Sequence, residues 1–159
     1  MELTPQDRLD IIELQSFYAY GIDHKESHLI SKAFTDDIEL EYPLFGKLKG
    51  LEFLTRWLEV FHSPFDSTQH FIGNHLLEVD GDEVRYRSYV IANMHLDGAP
   101  GGDHMSGGGW YDDRVVRTDA GWRIRDRNVT NWWRTGNVGL LEIGREATKP
   151  LWEEFGVSV

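Results

Sequence analysis

The chain has 159 residues, no cysteine, and 27 Asp and Glu against 16 Lys and Arg, a formal charge of −11. That length fits one domain, the missing thiols exclude disulfides and cysteine nucleophiles, and the negative balance argues against nucleic acid or an anionic membrane surface as partner. Aromatic residues make up 13% and include six Trp, a surplus that belongs in a core, an interface or the wall of a pocket for a flat ligand. The first ten residues hold no apolar run, and no stretch approaches the ~20 apolar residues of a membrane span, so a cytoplasmic protein is expected.

Thr4-Pro5 predicts the start of a first helix, with Thr4 as cap and Pro5 in its first position. Ile11, Leu14, Tyr18 and Ile22 recur at helical spacing. Gly21 reads as the end of this helix, a break that frees Asp23 to turn inward; on a continued helix Asp23 lies opposite Leu14 and Tyr18. A short helix is expected over 27–34. Ile38, Leu40 and Tyr42 then alternate with Asp37, Glu39 and Glu41, the mark of a half-buried strand. Residues 50–62 read as a third helix with Phe53, Leu54, Trp57 and Phe61 inside. Two long strands, 68–79 and 83–96, follow around the turn Asp80-Gly81-Asp82.

Residues 97–109 hold six of the 16 glycines and read as a mobile loop, a candidate lid. A strand over 110–117 turns at Asp119-Ala120-Gly121 into another over 122–133. Residues 134–159 read as a C-terminal tail with a short helix at 151–155. Helices first and a strand meander later give a single α+β domain, with helices on one face of a curved antiparallel sheet and a cavity between them.

His70 is the first candidate for chemistry. It shares strand parity with Thr68, Ile72, Asn74 and Leu76, and an imidazole on an apolar face stays neutral and suits a general base. Asp23, after a helix-ending glycine, reads by itself as a solvated turn residue; the alternative is that its carboxylate accepts the other ring N–H of His70 and so fixes the tautomer. Tyr42, alternating inward with Ile38 and Leu40, is a hydrogen-bond donor for a carbonyl oxygen that becomes an enolate. His95, at the end of its strand beside Met94, has no face assigned by parity. No histidine pair stands in metal-binding register with a third ligand, and Gly107-Gly108-Gly109 follows no strand and opens no helix, so it is no phosphate cradle. Arg123, Arg125 and Arg127 share a strand face and are expected to pair with surface acids such as Asp112, Asp113 and Asp126. Trp132-Trp133 places one indole on each side of the sheet.

The run Thr68-Gln69-His70-Phe71-Ile72-Gly73 resembles the segment that carries the catalytic histidine of scytalone dehydratase. The order of elements, ending in a Gly121-Trp122-Arg123-Ile124 strand, resembles the wider SnoaL-like group of the NTF2-like superfamily over about 9–133. The resemblance implies a cystatin-like cone, its curved, mostly antiparallel sheet carrying the N-terminal helices on the concave face. It also implies no cofactor, a small-molecule substrate, and a homo-oligomer, commonly a trimer, with a dimer as the alternative. By position His70 matches the family's base, Asp23 its partner and Tyr42 a tyrosine that reaches the substrate oxygen. The family's tyrosine before the aspartate is replaced by Ile22, its second histidine falls at Met94 or His95, and its serine and asparagine fall at Gly109 and Tyr111. Scytalone itself is therefore not the expected substrate.

The expectation is a cofactor-independent lyase or isomerase, foremost a dehydratase that removes a proton next to a carbonyl of a small cyclic or aromatic substrate and expels a β-hydroxyl. Tyr18, Trp57, Met94, His95, Trp110 and Tyr111 are the expected substrate-binding walls. The alternative is a non-catalytic binding module for a small hydrophobic ligand.

Overall fold

The computed structural model describes residues 1–156. Helix α1 (Pro5–Asp23) opens on a capping box, in which the Thr4 hydroxyl accepts the Asp7 N–H at 3.1 Å and the Asp7 carboxylate accepts the Thr4 N–H at 3.0 Å. The helix runs through Gly21 instead of ending there. The glycine serves packing: a Cβ at this position would lie 2.8 Å from Ile30 Cγ1 in α2 (Ser27–Ala33).

Steps of 100° per residue bring Asp23 to within about 20° of Ile12 and Ser16, on a second face that lies along β3 (Ser67–Asp80). The aspartate thus turns inward without a helix break, because α1 contacts the molecule on two sides. Ile11, Leu14, Tyr18 and Ile22 form the first, and all four are buried.

Strands β1 (Phe34–Tyr42), β2 (Gly46–Lys49), β4 (Glu83–His95), β5 (His104–Thr118) and β6 (Gly121–Gly136) complete a six-stranded sheet with β3. Its order is β2-β1-β6-β5-β4-β3. Only β1 and β6 run parallel; the other neighbours are antiparallel. Strand β2, four residues long, is too short for alternation to announce it. The helices cover the concave face, giving the α+β cone.

Helix α3 (Leu51–His62) begins directly after Gly50, and Phe53, Leu54, Trp57 and Phe61 are buried as expected. The expected tail is instead structured. Residues through Gly136 extend β6, and α4 (Leu140–Glu154) packs on α3, with Leu140, Leu151 and Trp152 buried. Gly144 allows this approach, since a Cβ there would lie 2.7 Å from the Phe61 ring.

The expected lid is also corrected. Residues 104–109 belong to β5, and only 96–103 connect it to β4. The glycines are there for close approach: a side chain at Gly109 would run into the Thr130 carbonyl, and one at Gly108 into the Trp133 indole.

Bulges account for the parity errors. A register shift between Gly73 and Leu76 turns Leu76 outward, 53% exposed, and gives Leu77 the inward place opposite Tyr86. A shift at Arg114/Val115 leaves Arg125 as the extra residue of β6, so Arg127 faces the core while Arg125 pairs outside with Glu83 and Asp126. A third, at Gly108/Gly109, makes Trp132 the extra residue. Neither indole of the Trp132-Trp133 pair is then buried. One inserted residue reverses the faces of all that follow.

Candidate active site

Strand β3 is the sheet edge beside α1, and there the Asp23 carboxylate meets three donors. Oδ1 accepts the His70 ring Nδ1–H at 2.8 Å and the Thr68 hydroxyl at 2.9 Å, and Oδ2 accepts the His70 main-chain N–H at 2.7 Å. An otherwise unpaired edge-strand N–H thus fixes the carboxylate. Both side chains are shielded, His70 at 4% exposed and Asp23 at 12%. Burial alone raises the Asp23 pKa, but the hydrogen bonds and the nearby imidazole outweigh it and hold the carboxyl below its usual range. A carboxylate that can only accept places the proton of neutral His70 on Nδ1, leaving the Nε2 lone pair free.

Beside this pair stands a group of tyrosines. The Tyr42 and Tyr18 hydroxyls are 3.3 Å apart, and the Tyr18 ring meets those of His70 and Tyr111 edge-on at 6.2 and 5.8 Å. Burial, reinforced by Tyr18, raises the Tyr42 pKa well above 10, so Tyr42 remains a donor at neutral pH.

Arg127 lies beneath, fully buried. Its guanidinium donates to Asp113 from Nε and Nη2 at 2.8 and 2.7 Å and to Gln15 at 2.7 Å. Its face rests 4.1 Å from the Tyr111 ring centre and 4.5 Å from that of Tyr18. This corrects the expected surface pairing of Arg127. Its neutralised charge forms the platform on which the tyrosines sit.

An apolar cavity of ≈ 70 Å³, open to solvent at its mouth, adjoins these groups. Its lining includes Tyr42, Trp57, Phe61, His62, His70 and Tyr111. Sheet register explains the hollow. Val90, Ala92 and Met94 of β4 face Gly109, Gly107 and Met105 of β5, so small residues hold the centre of the concave face where side chains would otherwise fill it.

Of the expected walls, Trp57, Met94 and Tyr111 line the cavity. Tyr18 lies behind it, wholly buried. His95 is partly exposed at the strand end, its Nε2 2.9 Å from Asp97, and Trp110 is on the opposite sheet face, donating to Asp112 and packed against Trp132. These two are not walls of the cavity. Of the two neighbours at the end of β4, only Met94 faces the cavity.

His62 escaped the sequence reading. It is buried on α3, bonds through Nδ1 to the Leu58 carbonyl at 2.8 Å, and its ring centre is 5.8 Å from that of His70. Burial, then the neighbouring His70, push its pKa down to about 3. The available signal was its i, i+4 spacing from Leu58 on the apolar face of α3. Among the described residues, no cluster of His, Cys, Asp and Glu has the arrangement of a metal site, and no helix is long and apolar enough to cross a membrane.

The fold and the buried carboxylate–imidazole pair agree with the family resemblance, and a family model settles the matter. The SnoaL-like domain matches residues 4–128, and the chain belongs to that family. Uncharacterized protein Rv2910c of Mycobacterium tuberculosis is 32% identical over 125 residues, 78% of this chain and 84% of that protein. Among solved structures, a protein proposed to be a scytalone dehydratase, from Novosphingobium aromaticivorans, superposes with a TM-score of 0.72 at 22% identity, covering 84% of this chain and 92% of its own. Hexachlorocyclohexane dehydrochlorinase LinA-type3 from Novosphingobium barchaimii superposes with a TM-score of 0.73 at 23% identity, covering 86% and 96%. At these identities the two structures speak for the fold.

Proposed function

We propose that the protein is a cofactor-independent lyase, foremost a dehydratase, in which His70 Nε2 removes a proton next to a carbonyl. Asp23 holds the imidazole in the productive tautomer and stabilises the imidazolium that forms. The C–H electrons pass into an enolate whose oxygen accepts a hydrogen bond from Tyr42. Collapse of the enolate forms the C=C bond and expels a β-hydroxyl, which takes the proton from His70 and leaves as water. Proton transfer of this kind supplies about 10²–10⁴-fold, and the enolate donor about 10²–10³-fold more.

The observation that carries the reading is the Asp23–His70 contact of 2.8 Å beside an apolar cavity that His70 lines. The dehydratase and dehydrochlorinase names of the two structural neighbours are consistent with it, since both reactions begin with loss of a proton and end with loss of a group from the next carbon.

Deuterium uptake from D₂O into a panel of cyclic and aromatic ketones tests the proposal. The wild type is expected to exchange the α-hydrogen. His70→Ala and Asp23→Asn should each lose about 10²–10⁴-fold, the latter because an amide N–H facing Nδ1 enforces the wrong tautomer. Exchange that survives in both variants removes the proposal. Ligands that bind and never exchange favour a carrier of small hydrophobic molecules instead.

We also propose that copies of the chain associate through the convex sheet face. Phe71, Tyr89, Ile91, Trp132 and Trp133 are there between 42% and 72% exposed, a concentration of apolar surface that marks an interface.

A further inference from the structure

His70, Ala92, Gly107 and Arg134 stand opposite one another on β3, β4, β5 and β6, a single row across the concave face. All four line the cavity. The two central residues have almost no side chain, so the row is a trough between an imidazole and a guanidinium. Its end Cα positions are three strand spacings apart, roughly 14 Å. A Cβ on Gly107 would lie 3.6 Å from Arg134 Cγ, so the arginine stem runs beside the trough floor, on a residue that is exposed to solvent.

Charge sharpens the point. No Asp or Glu lines this cavity, and Arg134 is its one permanent charge among the described residues. The chain has 27 acids against 16 Lys and Arg, and other arginines of the sheet are taken: Arg87 by Asp112, Arg114 by Asp80, Arg117 by Asp7, Arg125 by Glu83 and Arg127 by Asp113. Among the described residues the Arg134 side chain takes part in no ion pair and no hydrogen bond. A cation left without a partner beside an apolar hollow is suited to a planar anion, which the guanidinium fork can grip with two parallel hydrogen bonds.

We infer that the substrate is a flat carbon skeleton bearing a carboxylate, which Arg134 binds at the end remote from the carbon that surrenders its proton. This rests on His70 as the base. Ala92 and Gly107 leave room for the skeleton between the two ends, and Arg134 is a specificity-determining residue with no part in the proton transfer.

The test is a matched pair of probes, 2-naphthoic acid and 2-naphthamide, titrated calorimetrically into the full chain. The acid is expected to bind wild type about tenfold more tightly than the amide, with the ratio shrinking as salt is raised. Arg134→Gln should bring the ratio to about one, and Arg134→Lys should keep part of it, because a point charge lacks the planar fork. Equal affinities in the wild type, a ratio unchanged in Arg134→Gln, or no binding of the acid up to about 1 mM overturns the inference. His70→Ala separates this claim from the one beneath it. It should keep the preference for the acid while losing deuterium exchange. If exchange survives in His70→Ala while Arg134→Gln loses the ratio, the base assignment fails and the charge selectivity stands.

Discussion

The buried histidines of the site differ in how their protons are held. His70 has a carboxylate on Nδ1, whereas His62 has only the Leu58 carbonyl, and burial holds His62 neutral down to about pH 3. An unfolded chain takes up that proton near the ordinary histidine value of about 6.5. Between these two values the unfolded state therefore binds a proton that the folded state refuses. The resulting contribution to stability is full above pH 6.5 and is lost as pH falls toward 3, by about 1.4 kcal/mol for each unit. Urea melts from pH 7 to 4 should show this slope, and His62→Leu should flatten it relative to wild type. An identical slope in the variant would mean that His62 titrates normally in the folded protein.

Apart from β2 and α4, the secondary elements and their order are legible in the sequence, because capping at Thr4-Pro5 and the alternation through Tyr42 are local signals. What escaped was long-range. Bulges at Gly73–Leu76, Gly108/Gly109 and Arg114/Val115 shift parity without any mark in composition, so Leu76, the Trp pair and Arg127 were assigned to the wrong faces. The sequence turns Asp23 inward through a helix break at Gly21, whereas the structure does so through a second contact face of α1, which exists only once β3 lies beside it. The glycine-rich run read as a loop because its purpose is to admit Trp133 and the Thr130 carbonyl from the neighbouring strand. The same run supplies a prediction for β5. Gly107 has ordinary backbone geometry, and a Cβ there meets nothing closer than 3.5 Å, so Gly107→Leu should fold with a thermal midpoint no lower than wild type. Its side chain would fill the hollow and weaken binding of flat aromatic ligands by tenfold or more. Unchanged affinity would show that ligands bind elsewhere.

At the scale of the molecule, the cone has two apolar surfaces with different fates. The concave one is covered by helices except at the cavity, whereas the convex one is open across β3 to β6. The row Phe71, Ile91, Gly108 and Trp133 crosses four strands in register, flanked by the charged pair Arg87 and Asp112. Light scattering is expected to give a multiple of the chain's mass. Phe71→Lys combined with Ile91→Lys should reduce it to a single chain without altering far-ultraviolet circular dichroism. A wild type that is monomeric at ~100 μM contradicts the proposed association.

The proposed chemistry requires a free Nε2 lone pair on His70, and long-range ¹⁵N–¹H NMR of the imidazole reads it directly. With neutral His70, the spectrum should place the proton on Nδ1, toward Asp23, with Nε2 unprotonated; Asp23→Asn should reverse that pattern. A wild-type spectrum with the proton on Nε2 would contradict the account, because no base would then face the substrate.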